Sequence, residues 1–422
     1  MNPASIRWTQ RLALGALLAA SVTSLVFALR PRTSEAVPAF ARRYGVDCKT
    51  CHAPQPPRLN NVGMLFQASG FRLPDADANG KYMLKNIPAT GVGDAASLNA
   101  EFNAHILDKS EVTNGENRTS MEMGEVALIA GSAIGEHYSS HLHFLLRNDT
   151  GDPEFEAAQV QANYGKPDRE FYVKAGLTEP LAWQKVEEGS ITLSKALALG
   201  EDPMGAVGSF AGFPIGLTQT LMEAGGILSN LNHGSVRATL VSASLLNGVS
   251  QDPTTGELMH ASTNPTDGTD YLLQATELIG DRNTLGVFYY GGRTLYTNGV
   301  TNFKDHFDRF GVVGSLSPVE RLELVGGIIN GQDKTEELAA KAKALGGFAE
   351  ADVEIVPGWV GAYRFDQVDP NTDVGGDLRR AHTLTSRNQV LTNLFLIVEY
   401  QQRIEADDSR PHDLQGQIRF TY

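Results

Sequence analysis

The chain has 422 residues, of which 35 are basic and 49 are acidic, so its net charge is −14 at pH 7. This acidity argues against nucleic acid as a partner, because nucleic acid binds to basic patches, and it suits a surface that attracts cations. The mean hydropathy of −0.20 is typical of a soluble protein, but a transmembrane barrel gives a similar value because one face of its strands is polar.

The first 36 residues form a predicted signal peptide. Arg7 and Arg11 precede an uncharged, mainly apolar run over residues 12–29, and small residues around Ala36 offer a cleavage site. We predict cleavage after Ala36, which removes four arginines and one glutamate and leaves a mature chain with a net charge of −17. The length of the run leaves a second interpretation open, an uncleaved anchor in the inner membrane.

Residues 37–95 form a small segment around the only two cysteines of the chain. Cys48, Cys51 and His52 stand in the C-x-x-C-H pattern that attaches a c-type haem. Each thiol adds to one vinyl group of the porphyrin, and the histidine binds the iron as an axial ligand. We therefore predict a monohaem cytochrome segment that carries one covalent haem c. This attachment takes place on the exported side of the inner membrane, which agrees with the signal peptide.

Three other uses of the cysteine pair fit the sequence less well. A structural zinc site needs four ligands, and the sequence has no second pair of cysteines. A thioredoxin-like redox pair lies beside a βαβ pattern, which does not surround this one. A disulfide across so short a loop would stabilise the chain little.

The same segment contains one predicted helix, over residues 60–71, and two candidates for the sixth iron ligand. Met64 lies 12 residues after His52 and Met83 lies 31 residues after it, and a methionine ligand would raise the haem potential. Met64 could equally fill a gap in a core, as methionine commonly does. Residues 75–81 resemble a calcium loop, but the Glu that ends such a loop is missing, so we interpret them as a turn.

From about residue 96 onward, apolar and polar residues alternate, which is the pattern of β-strands. The alternation is clearest in four segments, at 98–106, 141–147, 158–164 and 349–355. Clusters of Gly, Asn, Asp and Pro separate such segments. At about 20 residues for each strand with its connection, residues 96–422 hold about 16 strands, an even number in the range of porins.

We therefore predict an all-β fold, a transmembrane antiparallel β-barrel over residues 96–422 with the small c-type haem segment inside its lumen. The last strand, at 414–422, has apolar residues on one face and ends on Tyr422, which resembles the C-terminal signal of bacterial outer-membrane barrels. This predicts a location in the outer membrane of a Gram-negative bacterium, in contact with its lipid. A soluble β-sandwich shows the same alternation, but one of this size would normally be split into domains.

Residues 333–347 interrupt the alternation. Their Glu, Leu and Ala residues favour a helix, which Gly346 and Gly347 would end. We expect a helical excursion in an extracellular loop or an inward-folded constriction of the lumen. This segment and the loop that carries Trp183 are also surfaces where neighbouring protomers could touch.

The haem segment resembles that of the fused monohaem cytochrome–porins, outer-membrane proteins of iron-oxidising bacteria that are assigned as iron(II) oxidases. The resemblance runs from Pro38 to Arg42, through Gly45 and the C-x-x-C-H motif, and on from Pro57 to Phe71, where the family usually has tyrosine. It covers about 35 residues. The barrel region matches the family only in its length and in its alternation of apolar and polar residues.

This resemblance implies an iron:cytochrome c oxidoreductase type of activity. Extracellular iron(II) would be the electron donor, and a periplasmic cytochrome would accept the electron through the haem. Two alternatives remain open. The protein could transfer electrons in the opposite direction, from the periplasm to extracellular acceptors. Alternatively, it could be a diffusion porin whose haem segment is only a plug.

Six polar residues of the predicted barrel are expected to face the lumen. His141 and His143 could reach the haem iron as a sixth ligand, or they could be ordinary lumen lining. Four acidic residues could concentrate iron(II) in the lumen, or they could simply solvate the channel: Glu101, Glu350, Asp352 and Glu354.

Overall fold

The computed structural model describes residues 39–76, 82–85, 96–108, 118–147, 153–166, 168–181, 190–199, 218–232, 235–251, 258–260, 269–297, 302–335, 340–391 and 393–421. The predicted signal peptide, the loop position Trp183 and the terminal aromatic residue Tyr422 lie outside these ranges. Within them, no helix is both long enough and apolar enough to cross a membrane.

The N-terminal segment folds into short elements. They are the helix α1 (Ala39–Tyr44), a 3₁₀ turn (Cys48–Thr50), the helix α2 (Asn61–Ala68) and the paired strands β1 (Leu73–Ala76) and β2 (Tyr82–Lys85). The helix predicted over residues 60–71 is confirmed as α2. It begins after Asn60, whose side chain accepts a hydrogen bond from the backbone N–H of Gly63 at 2.9 Å. It ends before Gly70, which has a φ of +66°.

The described strands from residue 96 onward form one sheet of eighteen strands. In chain order these strands are β3 (Ala96–Asp108), β4 (Arg118–Ile134), β5 (Tyr138–Arg147), β6 (Glu154–Lys166), β7 (Arg169–Thr178), β8 (Gln219–Asn232), β9 (Ser235–Leu246), β10 (Val249–Gln251), β11 (Leu258–His260), β12 (Asp270–Ile279), β13 (Asn283–Thr297), β14 (Asn302–Val319), β15 (Leu322–Thr335), β16 (Ala340–Val356), β17 (Trp359–Asp369), β18 (Arg379–Leu391), β19 (Leu394–Ile404) and β20 (His412–Thr421).

This sheet is a closed antiparallel barrel. The short strands β10 and β11 form a hairpin within the connection between β9 and β12, which pair directly. The other sixteen strands form the ring, which closes because β20 pairs with β3, with Ile418 opposite Phe102. The predicted all-β barrel of about 16 strands is therefore confirmed.

The outer face of the barrel carries apolar residues and the inner face carries polar ones, as a barrel in a lipid membrane requires. On β3, Leu98 and Phe102 point outward and are 39% and 43% exposed, whereas Asn99 and Glu101 point inward and are 7% and 8% exposed. Closure pairs every strand with two neighbours, which satisfies the backbone hydrogen bonds that lipid cannot satisfy. A closed barrel with an outward apolar surface is an outer-membrane architecture, and the predicted location in the outer membrane of a Gram-negative bacterium is confirmed.

The two ends of the barrel can be told apart by their connections. One end has tight turns, such as 135–137, 280–282 and 357–358, and the other has long connections, such as 179–218 and 247–269. Short turns of outer-membrane barrels face the periplasm, and the longer loops face the outside. The tight-turn end is therefore the periplasmic end.

The N-terminal segment lies inside the barrel at this periplasmic end. The backbone N–H of Asn61 donates to the carbonyl of Asp281, in a tight turn, at 2.8 Å. The guanidinium of Arg43 donates to the carbonyl of Gly131 on β4 at 2.9 Å. Gln161 on β6 donates to the carbonyl of Ala68 at 2.7 Å. Contacts on several sides of the ring place residues 39–73 in the lumen.

The helix predicted within residues 333–347 is wrong. The structure places strand at both ends of this stretch, because β15 continues to Thr335 and β16 begins at Ala340. Ala342 and Ala344 are buried, whereas Lys341 and Lys343 are exposed. The alternation has a period of two residues, and pairing with β15 overrides the helix propensity of alanine.

A different segment folds inward, namely residues 190–199 of the connection between β7 and β8. Backbone N–H groups of Leu193 and Ser194 donate to the carboxylate of Glu399, midway along β19, at 2.6 and 2.8 Å. Ala196, Ala198 and Leu199 pack against apolar lumen residues of strands β8 to β17. We call residues 190–199 the inner loop. The sequence carried a signal for it, since 40 residues separate these strands and long connections are commonly functional.

Candidate functional site

A cavity of about 360 Å³ lies between the N-terminal segment and the barrel wall at the periplasmic end. Cys48, Cys51 and His52 all line it, so the structure brings the three residues of the motif together at one space. Most of the remaining lining is apolar and aromatic, from residues that include Phe40, Tyr44, Leu59, Phe66, Phe71 and Phe395. An apolar space of this kind suits a flat hydrophobic ligand.

Local hydrogen bonds fix the motif in its turn. The side chain of Asp47 accepts from the N–H of Lys49 at 2.8 Å, which caps the 3₁₀ turn. The backbone N–H groups of Cys51 and His52 both donate to the carbonyl of Cys48, at 3.1 and 2.9 Å. Asn60 donates to the carbonyls of Lys49 and Thr50 at 3.2 and 3.1 Å. The motif and α2 therefore form one unit.

Gly63 explains why α2 can approach the motif so closely. A Cβ atom at this position would lie 2.3 Å from the carbonyl oxygen of Cys51. Any other residue would push the helix away from the turn that carries the two thiols.

The imidazole of His52 is set up as a metal ligand. Its Nδ1 lies 3.2 Å from the carbonyl oxygens of both Pro57 and Arg58, so Nδ1 carries the proton and Nε2 is left for a metal. Burial lowers the pKa of His52, and the nearby charge of Arg387 lowers it further, against a smaller upward effect of the two carbonyls. The ring is therefore neutral at pH 7, as an axial ligand must be.

The two thiols are unreactive in the folded site. Burial raises the pKa of Cys51 to about 12, with a further contribution from Cys48, and burial also raises the pKa of Cys48 itself. Because the thiolate is the reactive form of cysteine, both sulfurs are held mainly in the less reactive, protonated form in the folded site.

Met64, the first candidate for a sixth ligand, does not line this cavity. Met64 is fully buried and packs, together with Leu65 and Ala68, against lumen residues of β7, β8, β9 and β12. This position favours the gap-filling role of Met64. The side chain of Met83 is outside the described part of the chain. Among the described residues, the cavity lining contains no methionine and no histidine other than His52.

His141 and His143 both face the lumen, as predicted. The ring of His141 lies 5.8 Å from that of Phe71, which lines the cavity. His143 lies farther toward the extracellular end, between Glu125 and Glu156, with nitrogen to oxygen distances of 3.0 and 2.8 Å. In the described ranges, these three side chains form the one group able to hold a metal ion.

The four acidic residues also face the lumen, but each has a cationic partner. Arg58 Nη2 lies 2.5 Å from Glu350 and 3.3 Å from Asp352. Lys49 lies 3.9 Å from Glu354, and Arg419 lies 2.5 Å from Glu101. Three of the four therefore hold the N-terminal segment in place, and Glu101 orients a residue of the wall.

Arg58 is an anchor that sequence reasoning missed. Its side chain is 1% exposed. Burial alone would lower the pKa of Arg58, but the carboxylates of Asp352 and Glu350 outweigh burial and raise it. Arg58 therefore stays charged inside the barrel. Its partners lie 292 or more residues away in sequence, and no local pattern marks them.

The wall contributes one further unusual cation, Arg387 of β18, which is 2% exposed and lines the cavity. Its Nε atom is buried without a hydrogen-bond partner. A cavity with a mainly apolar lining, two thiols, a neutral imidazole and a buried guanidinium fits a haem, which combines an apolar ring, two vinyl groups that can add thiols, an iron and two carboxylates.

Comparison with known proteins bears on the barrel alone. No family model and no curated protein matches the sequence. The structure is similar to the anion-selective porin from Comamonas acidovorans, with a TM-score of 0.54 and 10% identity over 78% of this chain and 98% of that one. It is also similar to in-vitro folded OmpT of Vibrio cholerae, with a TM-score of 0.52 and 8% identity over 78% of this chain and 96% of that one. The barrel therefore has the fold of outer-membrane porins.

Proposed function

We propose that this protein is an outer-membrane cytochrome–porin that takes electrons from extracellular iron(II) and passes them to a periplasmic cytochrome. One observation carries the proposal: Cys48, Cys51 and His52 line an apolar cavity at the periplasmic end of a closed outer-membrane barrel. A redox group in this cavity is within reach of a soluble periplasmic carrier. The lumen above the cavity leads toward the extracellular side.

Three residues would hold the group. Cys48 and Cys51 would each hold it by a thioether bond, formed by adding the S–H group across a vinyl group, and His52 Nε2 would bind the iron. When bound, the haem supplies a one-electron redox centre, so that iron(II) is oxidised to iron(III) and the periplasmic cytochrome is reduced. The carbonyls of Pro57 and Arg58 orient the imidazole, and the aromatic lining excludes water.

Glu125, His143 and Glu156 support an entry route for iron(II) through the lumen. A mixed set of nitrogen and oxygen ligands suits divalent first-row metals. The group lies on the extracellular side of the cavity, and His141, two residues away on β5, approaches the cavity residue Phe71. The substrate would therefore release its electron without passing the N-terminal segment.

Two segments occupy the lumen, as both the proposal and the alternative of a porin with a haem-bearing plug require. Residues 39–73 fill the periplasmic end, and the inner loop narrows the middle. The reverse direction, electron export, would use the same site. The haem midpoint potential separates the two directions, because a value well below that of the iron couple supports export.

Stopped-flow spectroscopy of the oxidised protein mixed with iron(II) under nitrogen tests the proposal. We expect the visible haem bands to shift to those of the reduced form, with one haem per chain retained on a denaturing gel. The matched control is the double variant Cys48→Ser with Cys51→Ser, which should retain no haem. A wild-type protein without covalent haem, or one whose bands stay oxidised, would contradict the proposal.

A further inference from the structure

Arg387 differs from Arg58, Arg309 and Arg364, the other described arginines that are 2% exposed or less. Arg309 lies 2.7 Å from Asp333, Arg364 lies 2.9 Å from Asp366, and Arg58 pairs with Glu350. Among the described residues, no carboxylate lies within ion-pair distance of Arg387. A buried charge without a counter-charge is costly in free energy, so a cation kept here needs a ligand to balance it.

The surroundings of Arg387 leave its guanidinium directed at the cavity. Its central carbon lies 4.9 Å from the ring centroid of Phe395, which covers one side. Gln55 donates to the carbonyl of Arg387 at 3.2 Å and so contacts its backbone only. Of the acidic residues nearby, Glu101 is taken by Arg419, and Asp47 is exposed and caps the 3₁₀ turn.

We infer that Arg387 binds a propionate carboxylate of the haem, so that the barrel wall and the N-terminal segment hold the haem together. This inference rests on the proposed function, since it requires covalent haem in the cavity. A haem held by Cys48 and Cys51 would bring two carboxylates into a mainly apolar cavity, where they would need a cationic partner. Arg419 also lines the cavity, but it is paired with Glu101. A guanidinium can bind a carboxylate through two parallel hydrogen bonds, which an ammonium group cannot do.

The pairing has a consequence for the potential of the haem. Reduction adds one negative charge, which a fixed positive charge stabilises, so Arg387 raises the midpoint potential. For a charge on the order of 10 Å from the iron at an effective dielectric constant of about 20, the effect is about tenfold in the ratio of reduced to oxidised haem. A higher potential favours uptake of electrons from iron(II).

The test is a spectroelectrochemical titration of the haem in wild type, Arg387→Gln and Arg387→Lys. The control is Arg309→Gln, which removes a buried lumen arginine that does not line the cavity. We expect Arg387→Gln to lower the ratio of reduced to oxidised haem about tenfold at a fixed applied potential, which is about 59 mV for a one-electron couple. Arg387→Lys and Arg309→Gln should stay close to wild type, with equal covalent haem in all.

Resonance Raman spectroscopy gives a second readout, because the propionate bending mode responds to hydrogen bonding. We expect this mode to shift in Arg387→Lys, which folds with its charge kept but loses the two-bond geometry. If Arg387→Gln fails to fold, the propionate mode of Arg387→Lys is the deciding measurement. An unchanged frequency of this mode in Arg387→Lys overturns the inference. A potential in folded Arg387→Gln equal to wild type overturns it as well. Wild-type protein without covalent haem would instead overturn the proposed function and this inference together.

Discussion

The two segments inside the barrel are held there by different forces. The N-terminal segment is anchored by buried charge, through Arg58 with Glu350 and Asp352. The inner loop is held by apolar packing against strands β8 to β17 and by hydrogen bonds of its backbone, which donates to Glu399 and accepts from Arg364 at 2.8 and 2.9 Å.

This difference matches the tasks of the two segments. The buried ion pair of Arg58 comes from a side chain of the N-terminal segment itself, so it fixes the position of the motif relative to the wall, which the proposed electron transfer requires. The backbone hydrogen bonds and apolar packing of the inner loop are sufficient to narrow a channel. Variants that change one segment and leave the other intact therefore test whether electron transfer depends on the N-terminal segment alone.

The largest effect should come from removing the two cysteines of the N-terminal segment while keeping Arg58, which anchors the segment to the barrel wall. We expect Cys48→Ser with Cys51→Ser to abolish iron(II) oxidation, because the haem is lost. Conductance in a planar bilayer should stay low, since Arg58 still holds the segment. Conductance at the level of an open porin would show instead that the haem, rather than the ion pairs, keeps the segment in the lumen.

A second large effect should come from Arg58→Gln, which leaves Asp352 buried without a cation and leaves Glu350 with Arg364 alone, 3.7 Å away. Breaking one side of a buried pair costs about 3–5 kcal/mol, so the segment should leave the lumen more often. We expect more frequent open-channel events and faster proteolysis of residues 39–73. Lys49→Gln is the matched control: Lys49 pairs with Glu354 but its side chain is 66% exposed, and an exposed pair contributes about 0–1 kcal/mol. Equal behaviour of the two variants would refute the anchoring role.

Replacing the inner loop with a flexible Gly–Ser linker should have an intermediate effect. The middle of the lumen widens, but the N-terminal segment still closes the periplasmic end. We therefore expect a smaller rise in conductance than in Arg58→Gln and no change in the haem potential. A changed potential would mean that the inner loop also shapes the haem site.

A smaller effect should come from Glu125→Gln combined with Glu156→Gln. Loss of two carboxylates on the proposed entry route should slow reduction of the haem by iron(II) about tenfold at low ionic strength, and by less at high salt. The haem potential should not change. Glu136→Gln, in a tight turn at the periplasmic end, is the control. An unchanged rate in the double variant would exclude this route.

The smallest effect should come from Met64→Leu. The two side chains are similar in volume, and such core replacements typically cost less than about 1.5 kcal/mol. The haem spectrum and midpoint potential should be unchanged, because Met64 packs away from the cavity. A lowered potential would identify Met64 as an iron ligand after all.

The parts of the structure that the sequence predicted are those set by short-range patterns. Alternation with a period of two residues placed Glu101 and Glu350 toward the lumen, and Asn60 marked the start of α2. The C-x-x-C-H motif likewise lies within five consecutive residues. Each of these features depends on neighbours in the chain.

The parts that the sequence did not predict depend on distant partners. Arg364 and Ser194, which fix the inner loop, are 170 residues apart, and Gln55 and Arg387 are 332 residues apart. The helix expected within residues 333–347 failed for the same reason, because pairing of β16 with β15 outweighed local propensity. Only the closed barrel brings these positions together.

The central claim is that electrons cross the outer membrane through this one protein. The most direct test places the protein in vesicles that contain an oxidised soluble cytochrome c, with iron(II) added outside. We expect reduction of the enclosed cytochrome with the wild-type protein and none with the double variant Cys48→Ser with Cys51→Ser. An enclosed cytochrome that stays oxidised, while iron(II) still reduces the haem of the barrel protein, would contradict it.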